Sequence, residues 1–171
     1  GGFPVSKDKT YSLCMTAVLM ALTCITTMVI QIPIPLGYAH LGDCVILLAV
    51  LFLNRRNAVL AASIGSMLAD FFTGFAIWCV PTLLIKGAIV LTAHPFCAGR
   101  SFPRLLLGGA LSMLVMAAGY TLAGALLYGS LTVGLASTPG LLAEGALNLA
   151  LFLILAKTIV PALSRYLDRK S

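Results

Sequence analysis

Apolar residues run along this chain in long blocks, broken at short intervals by prolines, glycines and basic residues. A helix needs about 20 mostly apolar residues to cross a bilayer, within a range of about 17–25. Six blocks read as spans, at about 10–31, 41–53, 57–74, 79–95, 105–129 and 140–163. The pattern predicts an all-α membrane protein: one domain over residues 1–171, folded as a bundle of six transmembrane helices. The second block is too short to cross unaided, so the preceding loop is expected to extend it or the bilayer to thin around it. Ile32-Pro33-Ile34-Pro35-Leu36-Gly37 ends the first helix and imposes an extended, irregular connection. Gly74 closes the third helix. Ser137-Thr138-Pro139-Gly140 opens the sixth, with Ser137 or Thr138 as N-cap and Pro139 in the first turn.

The third block carries small residues at four-residue spacing on two adjacent ridges: Ala58, Ala62 and Ser66, and Ala61, Gly65 and Ala69. Small residues let helix backbones approach closely in a membrane, so this helix is expected at the centre of the bundle. The first block contains Ala17-x-x-x-Ala21, which suits either internal packing or docking to another protein.

Composition agrees with the pattern. Sixty per cent apolar and nine per cent charged residues do not suit a soluble domain. Nine of the eleven Lys and Arg residues fall at what six spans would make one side: Lys7, Lys9, Arg55, Arg56, Arg100, Arg104, Arg165, Arg169 and Lys170. The connections at about 31–42, 74–79 and 130–139 carry none. Basic residues stay cytoplasmic, so both termini are expected inside, with residues 1–9 as a cytoplasmic tail, in a multi-pass protein of a prokaryotic plasma membrane. The net charge of +6 is then a topology signal and a set of headgroup contacts, not a nucleic-acid footprint.

The first block is longer than a signal-peptide core and has no small-residue cleavage site after it. Gly1-Gly2 reads as a cloning remnant and is set aside. Cys14, Cys24, Cys44, Cys79 and Cys97 have neither metal spacing nor a C-x-x-C pair and read as small buried hydrophobes. Cys44 and Cys79 both fall near the outer face, which leaves a bridge between them open. No metal and no cofactor is expected.

Candidate chemistry gathers at the outer ends of the helices. Away from the tails the only acids are Asp43, Asp70 and Glu144. Lys86 lies about 10 Å below the outer boundary of the fourth span, at about 1.5 Å per residue. A charge at that depth faces the bundle interior with a partner, and Asp70 is one candidate for a purely structural pair. Asp43 at a helix start suits N-terminal capping, and Glu144 in a first turn suits either the helix dipole or a ligand. Glu144 and Asn148 share a helix face. Asn148 in an apolar helix needs hydrogen-bond partners, which a ligand could supply. Trp78 and Tyr128 suit interface anchoring; Trp78 and Tyr120 could also stack on a ring. Tyr38 and His40 suit a lid edge.

No GxSxG, HExxH or phosphate loop is present, so no enzymatic activity and no ATP hydrolysis is expected of the chain itself. No ionisable row crosses the bundle. The pattern describes a pocket open to the outside and closed below.

Ile32 to Asp43, with Gly65 to Gly74 and Pro81 to Gly87, resemble the substrate-binding (S) components of energy-coupling factor (ECF) vitamin transporters, in the riboflavin-transporter-type group. The similarity covers roughly residues 10–95. The resemblance implies a non-catalytic six-helix bundle that captures a small water-soluble vitamin from outside. The first external loop would close over it and the fourth to sixth helices would line the site. A transmembrane coupling (T) subunit and two ATPase subunits would supply the energy, and the S component would topple in the lipid bilayer to deliver its cargo. Ala17 and Ala21 match the small-x-x-x-small motif that docks on the coupling subunit. The substrate-binding set is then Tyr38, His40, Asp43, Trp78, Lys86, Tyr120, Glu144 and Asn148. The acids suit the vitamin B6 group and Lys86 suits pantothenate, whereas riboflavin would need a larger aromatic pocket. The alternatives are a self-sufficient carrier, disfavoured by the absence of Gly/Pro-broken helix pairs, and an intramembrane enzyme using Asp43 and Asp70.

Overall fold

The computed structural model describes residues 7–97 and 100–168. Seven helices follow one another: α1 (Lys7–Val29), α2 (Gly42–Phe52), α3 (Arg55–Phe72), α4 (Cys79–Cys97), α5 (Phe102–Tyr128), α6 (Leu131–Ala136) and α7 (Thr138–Asp168). Two short strands, β1 (Ile32–Ile34) and β2 (Gly37–Ala39), lie between α1 and α2, and a 3-10 turn at Ala76–Trp78 precedes α4. Arg169, Lys170 and tail residues 1–6 lie outside the described residues.

The helical class is as expected, but the spans differ from the six expected blocks. Among the described residues, four stretches are long and apolar enough to cross a membrane: 9–29, 76–97, 102–128 and 131–163. The eleven residues of α2 reach only about 16 Å at about 1.5 Å per residue, against a hydrocarbon core of about 30 Å. Instead α2 is enclosed, with Asp43, Cys44, Ile46, Leu47, Ala49 and Val50 all buried among α1, α3, α4 and α7. The eighteen residues of α3 are diluted by Arg55, Arg56, Asn57, Ser63, Ser66 and Asp70.

The small residues of α3 do face its neighbours. Ala58, Ala61, Ala62, Gly65, Ser66 and Ala69 are buried, and α3 packs between α1 and α4. At Gly65 an added Cβ would lie 2.6 Å from the Met20 carbonyl oxygen, so the α1–α3 seam closes only on glycine. The facing stripe of α1 is Thr16, Leu19, Thr23 and Thr27. Its hydroxyls bond the carbonyls of Ser12, Leu19 and Thr23 one turn back, which lets polar side chains sit in a dry seam. Leu and Ile side chains such as Leu13, Leu84, Leu114, Leu126 and Ile154 stay exposed around the outside, as a lipid-facing surface requires.

Two of the expected loops contain structure. The proline-rich segment forms an antiparallel hairpin pairing Ile32 with Ala39, Pro33 with Tyr38 and Ile34 with Gly37. Pro35 and Leu36 make its turn, and Leu36 takes a left-handed φ of 69°, uncommon for a non-glycine residue. Residues 131–136 form α6, entered from Gly129 in the left-handed C-cap of α5 and capped by Ser130, whose hydroxyl accepts from the Val133 N–H. The Ser137 hydroxyl donates back to the Gly134 carbonyl instead of capping α7. Cys44 and Cys79 are both free; Cys44 and Cys97 are buried, whereas Cys14 is exposed.

Gly65→Leu is expected to destabilise the protein by about 1–3 kcal/mol through overpacking of the α1–α3 seam. Thermal unfolding in detergent checks it, with Gly37→Leu as the control, because no atom lies within 4 Å of a Cβ there.

Candidate functional site

The three connections free of Lys and Arg converge on one cavity, open on one side, whose space together with its solvent-filled mouth is about 480 Å³. Its walls come from the hairpin (Ile34 to Tyr38), His40, Asp70, Phe75, Trp78, Tyr120, Ser137, Leu141 and Glu144.

The hairpin is pinned over this space at four points. Leu36 seats where a Cβ on Gly124 would come within 2.8 Å of it, and Ile34 packs against Gly140. The Tyr38 hydroxyl donates to Asp70 Oδ1 at 2.8 Å. Burial, followed by the Asp70 carboxylate, pushes that hydroxyl above its ordinary range, so it stays a donor. The fourth point is His40: Nδ1 accepts the Gly42 N–H at 3.0 Å, and Nε2 faces Glu144 Oε1 at 3.4 Å. That arrangement is the neutral Nε2–H tautomer. Burial, with the Lys86 charge, lowers the His40 pKa from 6.5 to about 3. Its contribution to stability is therefore present above 6.5 and lost as pH falls towards 3. Gly42 is obligatory here, since a Cβ would lie 2.1 Å from Thr27 Oγ1 and 2.9 Å from His40 Nδ1.

Asp70 closes one wall. Tyr38 donates to one of its oxygens and Thr82 to the other. Tyr120 Oη lies 2.9 Å from Thr82 Oγ1. Because the Thr82 proton goes to the carboxylate, Tyr120 donates to Thr82, making a relay from Tyr120 through Thr82 to Asp70. The aromatic rings are arranged in pairs: Tyr38 with Phe75 at 4.9 Å and Trp78 with Tyr120 at 5.8 Å between centroids.

Beneath the walls, Lys86 pairs with Asp43, and both are 0 % exposed. The expected Lys86–Asp70 pair does not form, and Asp43 is a buried counter-ion, not a helix cap. The Lys86 ammonium also sits 5.2 Å from the centre of the Tyr120 ring. Neither Lys86 nor Asp43 lines the cavity; the pair forms a floor one layer behind the lining, against the far side of Tyr120.

Asn148, also 0 % exposed, differs from the expectation that a ligand would satisfy it. Its oxygen accepts the Cys44 N–H at 2.9 Å, and its NH₂ donates to the carbonyls of His40 at 2.7 Å and Glu144 at 2.9 Å. It ties α7 to the hairpin exit and the start of α2. Trp78 is 6 % exposed and lines the cavity, so it is no interface anchor; Tyr128 stays half exposed at the end of α5. Ala17 and Ala21 are exposed on α1, away from the α1–α3 seam.

The model of the family described as "ECF-type riboflavin transporter, S component" matches residues 7–161. The chain belongs to this family. A protein of Pyrococcus woesei, described as an "uncharacterized protein in gap 3'region", is 37% identical over 108 residues, 61% of this chain and 72% of that one. Among solved structures, one described under "Structure and mechanism of the S component of a bacterial ECF transporter" superposes with a TM-score of 0.71 at 17% identity, over 91% of this chain and 98% of the other. That likeness concerns the fold.

Of the residues expected to bind, this S component brings Tyr38, His40, Trp78, Tyr120 and Glu144 to the cavity and sets Asp43, Lys86 and Asn148 behind it. Asp70, expected only as an ion-pair partner or an enzyme's acid, is in the wall. Thr82 was not anticipated, although it sits one turn before Lys86 on α4 and so shares its face. Phe75, Ser137 and Leu141 carry no signal in the sequence that separates them from other loop or helix residues.

Asn148→Leu leaves the buried Cys44 N–H and His40 carbonyl without partners, at about 1–3 kcal/mol per orphaned group. The variant is expected to melt several degrees lower, read by thermal unfolding without ligand.

Proposed function

We propose that the chain is the high-affinity substrate-binding subunit of an ECF-type ABC importer, taking a small water-soluble vitamin from the extracellular side. The observation that carries this reading is the hairpin-roofed cavity at the end of the bundle whose connections carry no basic residues. Its lining joins apolar and aromatic side chains to a few placed polar groups, Tyr38, His40, Asp70 and Glu144, as small-molecule sites do. The vitamin B6 group, pantothenate and riboflavin are the candidate cargoes.

In this reading Arg55, Arg56, Arg100, Arg104 and Arg165 mark the cytoplasmic end of a multi-pass protein in a prokaryotic plasma membrane, with both termini inside. The short α2 and the more polar α3 complete six passes as an inner pair sheltered by their neighbours. Every buried Asp, Glu, Lys or His among the described residues (His40, Asp43, Asp70, Lys86 and Glu144) belongs to the cavity's wall or to the layer behind it. No buried Asp, Glu, Lys, Arg or His among the described residues continues that path across the bundle, and in this reading the energy comes from partners: a transmembrane coupling subunit and two ATPase subunits. Delivery is by toppling of the S component against the coupling subunit. The exposed Ala17 and Ala21 supply a surface where a partner backbone can come close and slide.

Small molecules released on denaturing the detergent-purified chain, identified by mass spectrometry, are expected to include one vitamin at near one per protein. Absence of bound vitamin, together with no vitamin binding on titration, rejects the reading. Ala17→Trp is expected to abolish uptake in cells carrying the coupling and ATPase subunits while leaving affinity unchanged in detergent; surviving uptake would move docking off this face.

A further inference from the structure

The charge balance of the cavity identifies the class of its ligand. Three carboxylates (Asp43, Asp70 and Glu144) are buried around it against one ammonium, Lys86. Lys86 is committed to Asp43 beneath the floor. His40 is held neutral, with Nδ1 occupied by the Gly42 N–H. Asp70 and Glu144, which line the cavity, have no Lys or Arg partner within ion-pair distance among the described residues. Hydrogen bonds from Tyr38 and Thr82 hold the Asp70 carboxylate in place without neutralising it. A buried carboxylate without a counter-charge is costly, and a cation seated against Asp70 and Glu144 would offset that cost.

The other walls fit the same cation. Tyr38, Phe75, Trp78 and Tyr120 line the cavity in two tilted pairs. Aromatic faces attract cations through the ring quadrupole, most strongly where water is excluded. Carboxylates and aromatic rings around one space form a receptor for an organic cation and repel a carboxylate-bearing ligand.

We propose that this S component takes its ligand as an organic cation, a small molecule bearing a protonated amine or a positively charged nitrogen heterocycle, with the charge held by Asp70 and Glu144 inside the aromatic walls. The inference rests on the vitamin-capture reading and narrows it. The ring lies against Trp78 and Tyr120, and the cationic nitrogen points towards the two acids. Pantothenate, an anion, is excluded, and riboflavin, which is neutral, leaves the two acids unmatched.

The test is equilibrium binding to the purified full chain at pH 7.5. The probes are pyridoxamine and thiamin as net cations, pyridoxine and riboflavin as ligands of no net charge, and pantothenate as the anion. A cation is expected to bind tightest, and pyridoxamine at least ten-fold tighter than pyridoxine, which carries a hydroxyl where pyridoxamine carries the amine. Asp70→Asn and Glu144→Gln are each expected to reduce the cation's affinity at least ten-fold relative to a probe of no net charge measured on the same variant. That ratio cancels any general loss of folded protein. If a variant does not fold, the ranking of the five probes on the unaltered chain decides. Tightest binding of riboflavin, pyridoxine or pantothenate overturns the cation assignment and leaves the S-component reading standing. Failure of both cations to bind overturns the cation assignment whichever other probe binds; the S-component reading falls only if no vitamin is released on denaturing the purified chain either.

Discussion

The structure depends on the ion pair between Lys86 and Asp43. Removing two charges from water costs several kcal/mol each, and close pairing is what offsets it. Here the pair joins α4 to the first turn of α2, the one helix too short to reach across a bilayer. It thereby fixes where α2 starts, and the hairpin leads directly into that start. The Lys86 ammonium also lies against the Tyr120 ring, so the same charge that anchors α2 supports a wall of the cavity. A neutral pair of equal volume could fill the floor, but it would not hold Tyr120 electrostatically or set the charge balance above.

Above that floor, hydrogen bonds tie the hairpin and its exit to α2, α3 and α7. Asn148 bonds three backbone groups at once, and Gly42 offers its N–H to His40 because no side chain intervenes. Tyr38 reaches Asp70, which also receives Thr82. Such networks are costly when incomplete and rigid when satisfied. The result is a roof whose contacts are side-chain bonds and small-residue seats, at Gly124 and Gly140, and not a continuous apolar seam.

The apolar blocks predicted helices close to the observed ones because helix length and proline or glycine punctuation are local properties. Two of the six blocks, α2 and α3, are not long and apolar enough to cross a membrane unaided: α2 is apolar and surrounded by other helices, and an apolar run does not distinguish lipid from protein as its neighbour. The hairpin at 32–39 was read as irregular because its pairing depends on the turn at Pro35-Leu36, where Leu36 adopts a conformation that nothing in its chemistry favours. The short helix at 131–136 was hidden for a related reason. Its six residues are too few to show a period, and it is held by the approach of Gly134 to α5.

The sequence by itself determined the membrane class, the end of the bundle where chemistry collects, and the set of polar residues available there. Those follow from hydropathy and from the placement of Lys and Arg, which act residue by residue. The tertiary structure alone decided the pairings. Spacing along a helix places Lys86 and Thr82 on one face, but it does not say that Asp43 approaches one and Asp70 the other. Nor does it say that Asn148 finds its partners in the backbone of a segment 104 to 108 residues away. In a low-dielectric interior, which charge neutralises which determines what remains for a ligand, and that is a property of distances between helices.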